Sequence, residues 1–315
     1  MKKGFHYLVT GGAGFIGSNI VAELVERGEK VTVFDNFATG KRENLAPFSS
    51  SITLYEGDIR SYHQVREAME GVDYVLHQAA LPSVPRSVRD PITSNQVNVD
   101  GTLNLLVAAQ EAKVKRFVYA SSSSVYGDNP TLPKVEDMTL NPLSPYAVSK
   151  LTGEKYCRVF ARLYGLETVA LRYFNIFGPR QDPTSQYSAV IPRFIMALKH
   201  KEPPIIYGDG HHSRDFTFVS NVVEANLLAC RVSGVAGEAF NVACGDRFSL
   251  LELIGCLQEI MGVSVEPRFE EPRPGDVRHS QAGIEKIMSV MGYKVQHDFR
   301  CGLEKTVEYF LESDR

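Results

Sequence analysis

Short apolar runs alternate, through the first half of the chain, with longer stretches whose apolar residues recur every three or four positions. The runs at 6–10, 31–34, 52–55, 74–77, 116–120 and 168–172 are partly β-branched and bounded by turn residues. That is the pattern of strands buried on both faces. Helical patterns at 15–27, 61–70, 91–112 and 144–164 lie between them. The first stops at Gly28, a suitable helix end. The second opens with Ser-x-x-Gln from Ser61, a capping-box pattern, and stops at Gly71. Ser144 and Pro145 suit the N-cap and first position of the fourth. Repeated strand–helix–strand units predict an α/β protein with a Rossmann-type doubly wound parallel sheet.

Beyond about residue 175 the texture changes. Pro and Gly cluster at 178–183, 202–210 and 267–275, and helical patterns at 189–200, 221–232, 250–261 and 302–311 alternate with short strands. These predict a smaller α/β substrate-binding lobe over the carboxyl edge of the sheet, where ligands of such folds bind. The expected division is a large domain over 1–175, with 215–243 threading back to it, and a lobe made of 176–214 and 244–315.

Composition narrows the class. The 315 residues are 43% hydrophobic and 23% charged, with a formal net charge of −3, which predicts no nucleic-acid or membrane-binding face. No apolar run approaches the ~20 residues of a membrane span. The opening MKKGFHYLVTGG is too short for a signal peptide and fits a first strand. Cys157, Cys230, Cys244, Cys256 and Cys301 are odd in number and widely spaced, which predicts reduced thiols in a cytoplasmic protein. The doublet His211-His212 has no Cys or carboxylate at ligand spacing, so no metal site is expected.

The segment TGGAGFIG at 10–17 follows the first strand and opens the first helix. Gly11 allows a tight turn, Gly14 lets the backbone approach a pyrophosphate, and Gly17 lets the helix pack on the strand. The helix N-terminus adds free amides and a positive dipole end. Asp35, at the end of the second strand, is placed to bond the ribose hydroxyls of an adenosine and would repel a 2′-phosphate. The pattern predicts NAD rather than NADP, although Lys41-Arg42 lies nearby.

Four serines at 121–124 end the fifth strand, and the next helix opens as SPYAVSK, placing Tyr146 and Lys150 on one face. A serine, a tyrosine and a lysine can therefore converge on one ligand. The trio suits removal of a hydroxyl proton as a hydride leaves a secondary alcohol. A phenol of pKa about 10 is a poor base at neutrality. A nearby ammonium, a cationic nicotinamide ring and a helix N-terminus all favour the phenolate.

With these residues the chain resembles the extended short-chain dehydrogenase/reductases and, within them, the nucleotide-sugar 4-epimerases. The likeness runs through TGGAGFIG, DNFATG at 35–40, GDIR at 57–60, HQAA at 77–80, SSSSVYG at 121–127, SPYAVSK, LRYFNIFGPRQ at 171–181, SRDFTFV at 213–219 and RPGDVRHS at 273–280. It is strongest to the UDP-N-acetylglucosamine 4-epimerases of bacterial surface-polysaccharide pathways. The resemblance implies that Gly11, Gly14, Phe15, Ile16, Gly17, Asp35, Asn36, Asp58, Ile59, Gln78, Ala80, Tyr146, Lys150 and Tyr173 contact NAD. It implies that Asn175, Ala189, Val190, Arg214, Arg273 and Asp276 hold the nucleotide and its diphosphate. Counting from the strand assigns the catalytic hydroxyl to Ser122. Counting back from Tyr146 leaves Ser121 as the alternate, with Ser123 and Ser124 lining the sugar pocket. The implied reaction is a redox cycle at C4: Tyr146 takes the 4-OH proton, the 4-ketopyranose turns over in the site, and hydride returns to its other face.

Neighbouring chemistries can be weighed on single positions. Related 4,6-dehydratases carry Thr-Asp-Glu where this chain has Ser122-Ser123-Ser124, so elimination lacks its carboxylates. A uronate would call for a cation at the sugar's C6; Arg86 or Arg89 could serve, or could face solvent or phosphate. Relatives restricted to glucose and galactose commonly place a tyrosine where this chain has Ser280, which leaves room for an acetamido group. The leading expectation is therefore interconversion of UDP-N-acetylglucosamine and UDP-N-acetylgalactosamine. The alternatives are a UDP-glucose/UDP-galactose 4-epimerase with relaxed specificity and, in another class, a non-catalytic NAD-binding sensor. The helices at 91–112 and 144–164 match those that pair in dimeric relatives, so a homodimer is expected. Leu103, Leu106 and Val107 could serve either that contact or the core.

Overall fold

The computed structural model describes residues 4–183, 190–272 and 278–312. Its centre is a seven-stranded sheet. Six strands are β1 (His6–Thr10), β2 (Lys30–Asp35), β3 (Ile52–Glu56), β4 (Tyr74–His77), β5 (Arg116–Ser122) and β6 (Thr168–Tyr173); the seventh is Glu238–Val242. From one edge to the other the order is Glu238–Val242, β6, β5, β4, β1, β2, β3. Every neighbouring pair is parallel. From β1 the chain builds outward to β3, then returns to β4 on the other side and builds outward again. The reversal leaves a crevice beyond the carboxyl ends of β1 and β4.

Helices α1 (Phe15–Glu26), α2 (Tyr62–Ala68), α3 (Val84–Arg89), α4 (Pro91–Asn95), α5 (Gly101–Glu111) and α6 (Pro145–Tyr164) come from the first half. One apolar core joins α1 and the helix Val219–Arg231 to one sheet face. A second joins α2, α5 and α6 to the other. Both faces are thus covered, and the central strands are buried except for Ser122 at the end of β5, which is part-buried. A third core unites Phe177, Phe216 and Phe218 with the helices Val190–Lys199, Leu250–Met261 and Phe299–Glu312.

The structure corrects three local expectations. β3 is mostly exposed, because it is the sheet edge and has a neighbour on one side only. No side chain caps α2: Gln64 Oε1 instead accepts from the Asp58 amide at 2.9 Å, so the Ser61 capping box does not form. The helical stretch at 91–112 is interrupted by a π-helical turn at Gln96–Asp100. Asn98, inside that turn, accepts from the Leu81 amide at 2.8 Å and donates to Ser149 Oγ at 3.1 Å. Such turns often mark functional sites.

α6 is capped as its sequence predicts. Ser144 Oγ accepts from the Ala147 amide at 3.1 Å, and Gly165 ends the helix with φ of +71°. No described helix is long and apolar enough to cross a membrane. The five cysteines are unbridged, and Cys157 and Cys230 are buried.

Helix α1 meets β1 through Gly17, where an added Cβ would come within 2.1 Å of the Gly11 carbonyl oxygen. Backbone cannot yield as a flexible side chain does. Gly17→Ala is therefore expected to cost ~1–3 kcal/mol by overpacking, read as a lower midpoint in urea unfolding of the apoprotein.

Candidate active site

The loop between β1 and α1 is shaped by its glycines. Gly11 turns with φ of +67°, and a Cβ there would lie 2.6 Å from the Ala79 amide nitrogen. Protein packing therefore excludes a side chain at Gly11 and Gly17. At Gly14 the crowding is milder: the single neighbour within 4 Å of an added Cβ is the Gly11 carbonyl oxygen, at 3.2 Å, a tight contact that needs a shift of a few tenths of an ångström. Gly14 is the N-cap of α1, with no side-chain cap and no acidic residue in the first turn. This bare helix start is a cradle for an anion, and it fits the pyrophosphate of a dinucleotide. Phe15 and Ile16 turn inward beside it, onto the third and first cores.

At the end of β2, Asp35 faces the same loop. Its carboxylate accepts from the Ala13 amide at 2.9 Å and the Phe37 amide at 2.8 Å. Burial pushes its pKa up, and these amides pull it back down. Lys41 pairs with Asp182 at 3.1 Å and Arg42 with Glu56 at 2.6 Å, so each nearby cation has a carboxylate of its own. Asn36 donates to Asp58 at 3.3 Å, and Asp58 pairs with Arg60. Ile59 is buried against Gly101, whose added Cβ would meet it at 2.6 Å. Ala80 lies part-buried just beyond β4.

Across the crevice, Gln78, Tyr173 and Asn226 close a ring of hydrogen bonds. Tyr173 OH donates to Gln78 Oε1 at 3.1 Å, Gln78 Nε2 donates to Asn226 Oδ1 at 3.1 Å, and Asn226 Nδ2 donates to Tyr173 OH at 2.8 Å. Burial raises the Tyr173 pKa, so this phenol stays a donor. Asn226 was not a sequence-based candidate. Its signal was a polar residue on the buried face of a helix, where it is fully enclosed. His77, enclosed between the hydroxyls of Thr10 and Thr102, is pushed down by burial to about 3 and is neutral.

The trio gathers where α6 packs on the end of β5. The Lys150 ammonium donates to the Ala120 carbonyl at 2.8 Å and lies 6.0 Å from the centre of the Tyr146 ring. Burial pulls its pKa down to about 8. Burial also raises the Tyr146 phenol above its ordinary value, while a hydrogen bond with Ser122 lowers it. Ser122 Oγ in turn accepts from Ser124 Oγ at 2.9 Å and from the Ser124 amide at 3.2 Å. Ser121, the alternate hydroxyl, is directed elsewhere: it donates to the buried carboxylate of Glu154. Neighbouring strand residues point to opposite faces, which separates the two serines. Ser123 is part-buried in the turn that follows. The Tyr146 amide donates to Ser87 Oγ at 3.0 Å, a second cap on α6 supplied from α3. Neither Ser87 nor Asn98 stood out in sequence, because each acts through contacts with residues distant along the chain.

On the far side of the crevice, Arg214 donates to the carbonyls of Ser213 and Arg278 at 3.0 and 3.2 Å. The Ser280 amide donates to the same Ser213 carbonyl at 3.0 Å, which brings Ser280 and Arg214 together. Asn175 has φ of +35° and donates to the Asp215 carbonyl at 3.2 Å. Asp215 is fully enclosed and accepts from the amides of Cys244, Gly245 and Ala282 at 3.0–3.1 Å; burial pushes its pKa up to about 7. It ties the segment holding Ser280 to the strand holding Arg214. Val190 opens the helix Val190–Lys199. Ala189, Arg273 and Asp276 lie outside the described residues. Among the described residues, no three His, Cys, Asp or Glu side chains are grouped to hold a metal ion.

Comparison with known proteins agrees with this geometry. Residues 7–243 match the model of the NAD dependent epimerase/dehydratase family. The chain is 37% identical over 310 residues to a putative UDP-glucose 4-epimerase of Methanocaldococcus jannaschii, covering 98% of this chain and 99% of that one. It superposes with a TM-score of 0.94 on a UDP-N-acetylglucosamine 4-epimerase from Methanobrevibacter ruminantium in complex with UDP-N-acetylmuramic acid, at 40% identity and 99% coverage of both chains. A UDP-glucose 4-epimerase from Thermus thermophilus in complex with NAD gives a TM-score of 0.88 at 36% identity, covering 98% of this chain and 100% of that one. With a bare helix start at Gly14 for a pyrophosphate and a Ser122–Tyr146–Lys150 group at the crevice, the chain belongs to the NAD dependent epimerase/dehydratase family.

Proposed function

We propose that this NAD-dependent nucleotide-sugar 4-epimerase acts on UDP-N-acetylglucosamine and UDP-N-acetylgalactosamine. The observation that carries the chemistry is the convergence of Ser122, Tyr146 and Lys150 at the carboxyl end of β5. When bound, NAD supplies a hydride acceptor and donor for C4 and a positive charge beside the phenol. Tyr146, as phenolate, takes the proton of the sugar 4-OH and later returns it. Ser122 bridges the sugar oxygen and the phenol. Lys150 holds a cation next to both. Gly11, Gly14, Gly17, Asp35, Gln78 and Tyr173 would hold the cofactor, and Asn175 and Arg214 the nucleotide.

The choice of sugar rests on Ser280, a small side chain beside Arg214 that leaves space for an acetamido group. The second reading, a UDP-glucose/UDP-galactose 4-epimerase, is favoured by relatives named for that activity. A non-catalytic NAD-binding sensor would have no need of the intact trio. We also propose a cytoplasmic homodimer. Leu106 is in the core, with Leu103 and Val107 packed against it, but Ile92 and Leu163 are 71% and 69% exposed, and Val88, Leu143, Val148 and Val159, on or next to α3 and α6, are exposed as well. An apolar face of this kind suits a second copy. Leu163→Glu is expected to halve the mass seen by light scattering.

Proton NMR with UDP-N-acetylglucosamine and, in parallel, UDP-glucose tests the reading. The acetamido product should form faster. Ser280→Tyr should slow the acetamido pair about tenfold or more while sparing the other pair; an equal fall on both would remove Ser280 from the argument. Tyr146→Phe should lower kcat by ~10²–10⁴. Gly14→Ala should lower the apoprotein's unfolding midpoint less than Gly17→Ala does, and should weaken NAD retention.

The pH dependence has a definite sign. In the apoprotein Tyr146 titrates above its ordinary pKa, because burial disfavours the phenolate. Adding a positive charge beside it lowers that pKa. Phenolate absorbance should therefore rise at lower pH in NAD-loaded protein than in apoprotein, and Tyr146→Phe should lack that component.

A further inference from the structure

Three residues on one face of α6 grip three successive residues of β5. The Lys150 ammonium holds the Ala120 carbonyl, the Tyr146 phenol meets the Ser122 hydroxyl, and between them the Glu154 carboxylate accepts from Ser121 Oγ. Positions 146, 150 and 154 are each about one helical turn apart. Glu154 is answered by Arg172 of β6: Nε donates to Oε1 and Nη2 to Oε2, both at 2.9 Å. Arg172 Nη1 donates to Tyr126 OH at 2.8 Å and to the Glu136 carbonyl at 3.3 Å. Tyr126 OH donates in turn to Asn241 Oδ1 at 2.7 Å, in the seventh strand.

Both side chains of this pair are about 5% exposed. A buried ion pair is commonly no more stabilising than packed apolar side chains of the same volume. Its location at the strand end supplies another role. We propose that Glu154 is a positioning residue: through Ser121 it sets the register of α6 on β5, so that the Tyr146 phenol meets Ser122. Arg172 neutralises it, leaving Lys150 as the cation that governs the phenol. The kinetic part of this proposal rests on the 4-epimerase reading.

Four other titratable groups around the site, His77, Tyr119, Cys157 and Tyr126, are uncharged near neutrality. His77 of β4 is neutral. Burial raises Tyr119 of β5 and Cys157 of α6, and pushes Tyr126 up to about 12. Glu136 lies beyond Arg172 and accepts from the Asn241 amide at 2.8 Å. Glu154, Arg172 and Lys150, with Glu136 behind Arg172, are thus the charges that set the local field.

The test compares wild type with Glu154→Gln, Ser121→Ala and the double variant, with NAD content measured so that rates refer to loaded sites. Each single variant should lower kcat about tenfold or more, with KM for the nucleotide sugar within about twofold. The double variant should be no slower than the slower single, since both cut one link. In Ser121→Ala, loss of the Ser122 bond should move the acid limb of kcat/KM to higher pH; Glu154→Gln also leaves Arg172 unneutralised, so its limb should lie at lower pH than that of Ser121→Ala. Loaded Glu154→Gln sites with wild-type kcat and an unmoved acid limb would overturn the proposal. If Glu154→Gln does not fold, Ser121→Ala decides alone: wild-type kcat in its loaded sites sinks the register role. If wild type epimerises neither sugar, the reaction reading fails separately. The Tyr146 phenolate is then titrated against Tyr146→Phe in the Ser121→Ala background, where no charge changes; a higher pKa, from loss of the Ser122 bond that lowers it, supports positioning and an unchanged one refutes it.

Discussion

The donation from the buried Lys150 ammonium to the Ala120 carbonyl anchors α6 to the carboxyl end of β5, where the candidate site lies. Taking an ammonium out of water is costly, and one carbonyl does not repay it in full. The low pKa of Lys150 expresses that cost. The surrounding structure must be rigid enough to hold such a charge in place. It is, because β5 is buried between β4 and β6 and α6 is packed across its end. A cation held dry beside a phenol acts at a lower effective dielectric than it would in water. The same burial that destabilises Lys150 therefore strengthens its influence on Tyr146.

Polar networks carry that rigidity outward. Ser87 and Ser144 cap the first turn of α6 from two directions, and Asn98 ties Ser149 to the segment after β4. The ring of Gln78, Tyr173 and Asn226 bridges β4, β6 and the helix Val219–Arg231. Asp215 does the same for the segments that hold Arg214 and Ser280. Each network is enclosed, and an enclosed polar group left unpaired is expensive. Such networks permit one arrangement, and so hold the candidate site's side chains in fixed positions.

Much of this was legible in the order of residues. The strands at 6–10 and 74–77 and the helix at 250–261 appear with the bounds their patterns predict. Their signals are local: β-branched runs between turn residues, and apolar residues at helical spacing ended by glycine. The glycine loop, Asp35 and the Tyr146–Lys150 pair were legible for the same reason. Each depends on spacing along one short segment. β3 looked like a buried strand because its composition is apolar, but exposure depends on which neighbours the sheet provides. The Ser61 capping box looked complete, but Gln64 found a better partner in the Asp58 amide.

The sequence by itself determined the alternation of strand and helix, the bare helix start at Gly14, and the face that carries Tyr146 and Lys150. These follow from backbone sterics and from periods of two and 3.6 residues, which act over a few positions. Tertiary structure alone decided that Ser122 rather than Ser121 meets the phenol, that Glu154 and Arg172 pair beneath it, and that Ser87, Asn98 and Asn226 serve the site. Those outcomes turn on strand pairing and helix docking between residues up to about 150 positions apart, as in the Gln78–Asn226 bond. No local period encodes them, because they are set by which surfaces bury each other as the sheet closes its two faces.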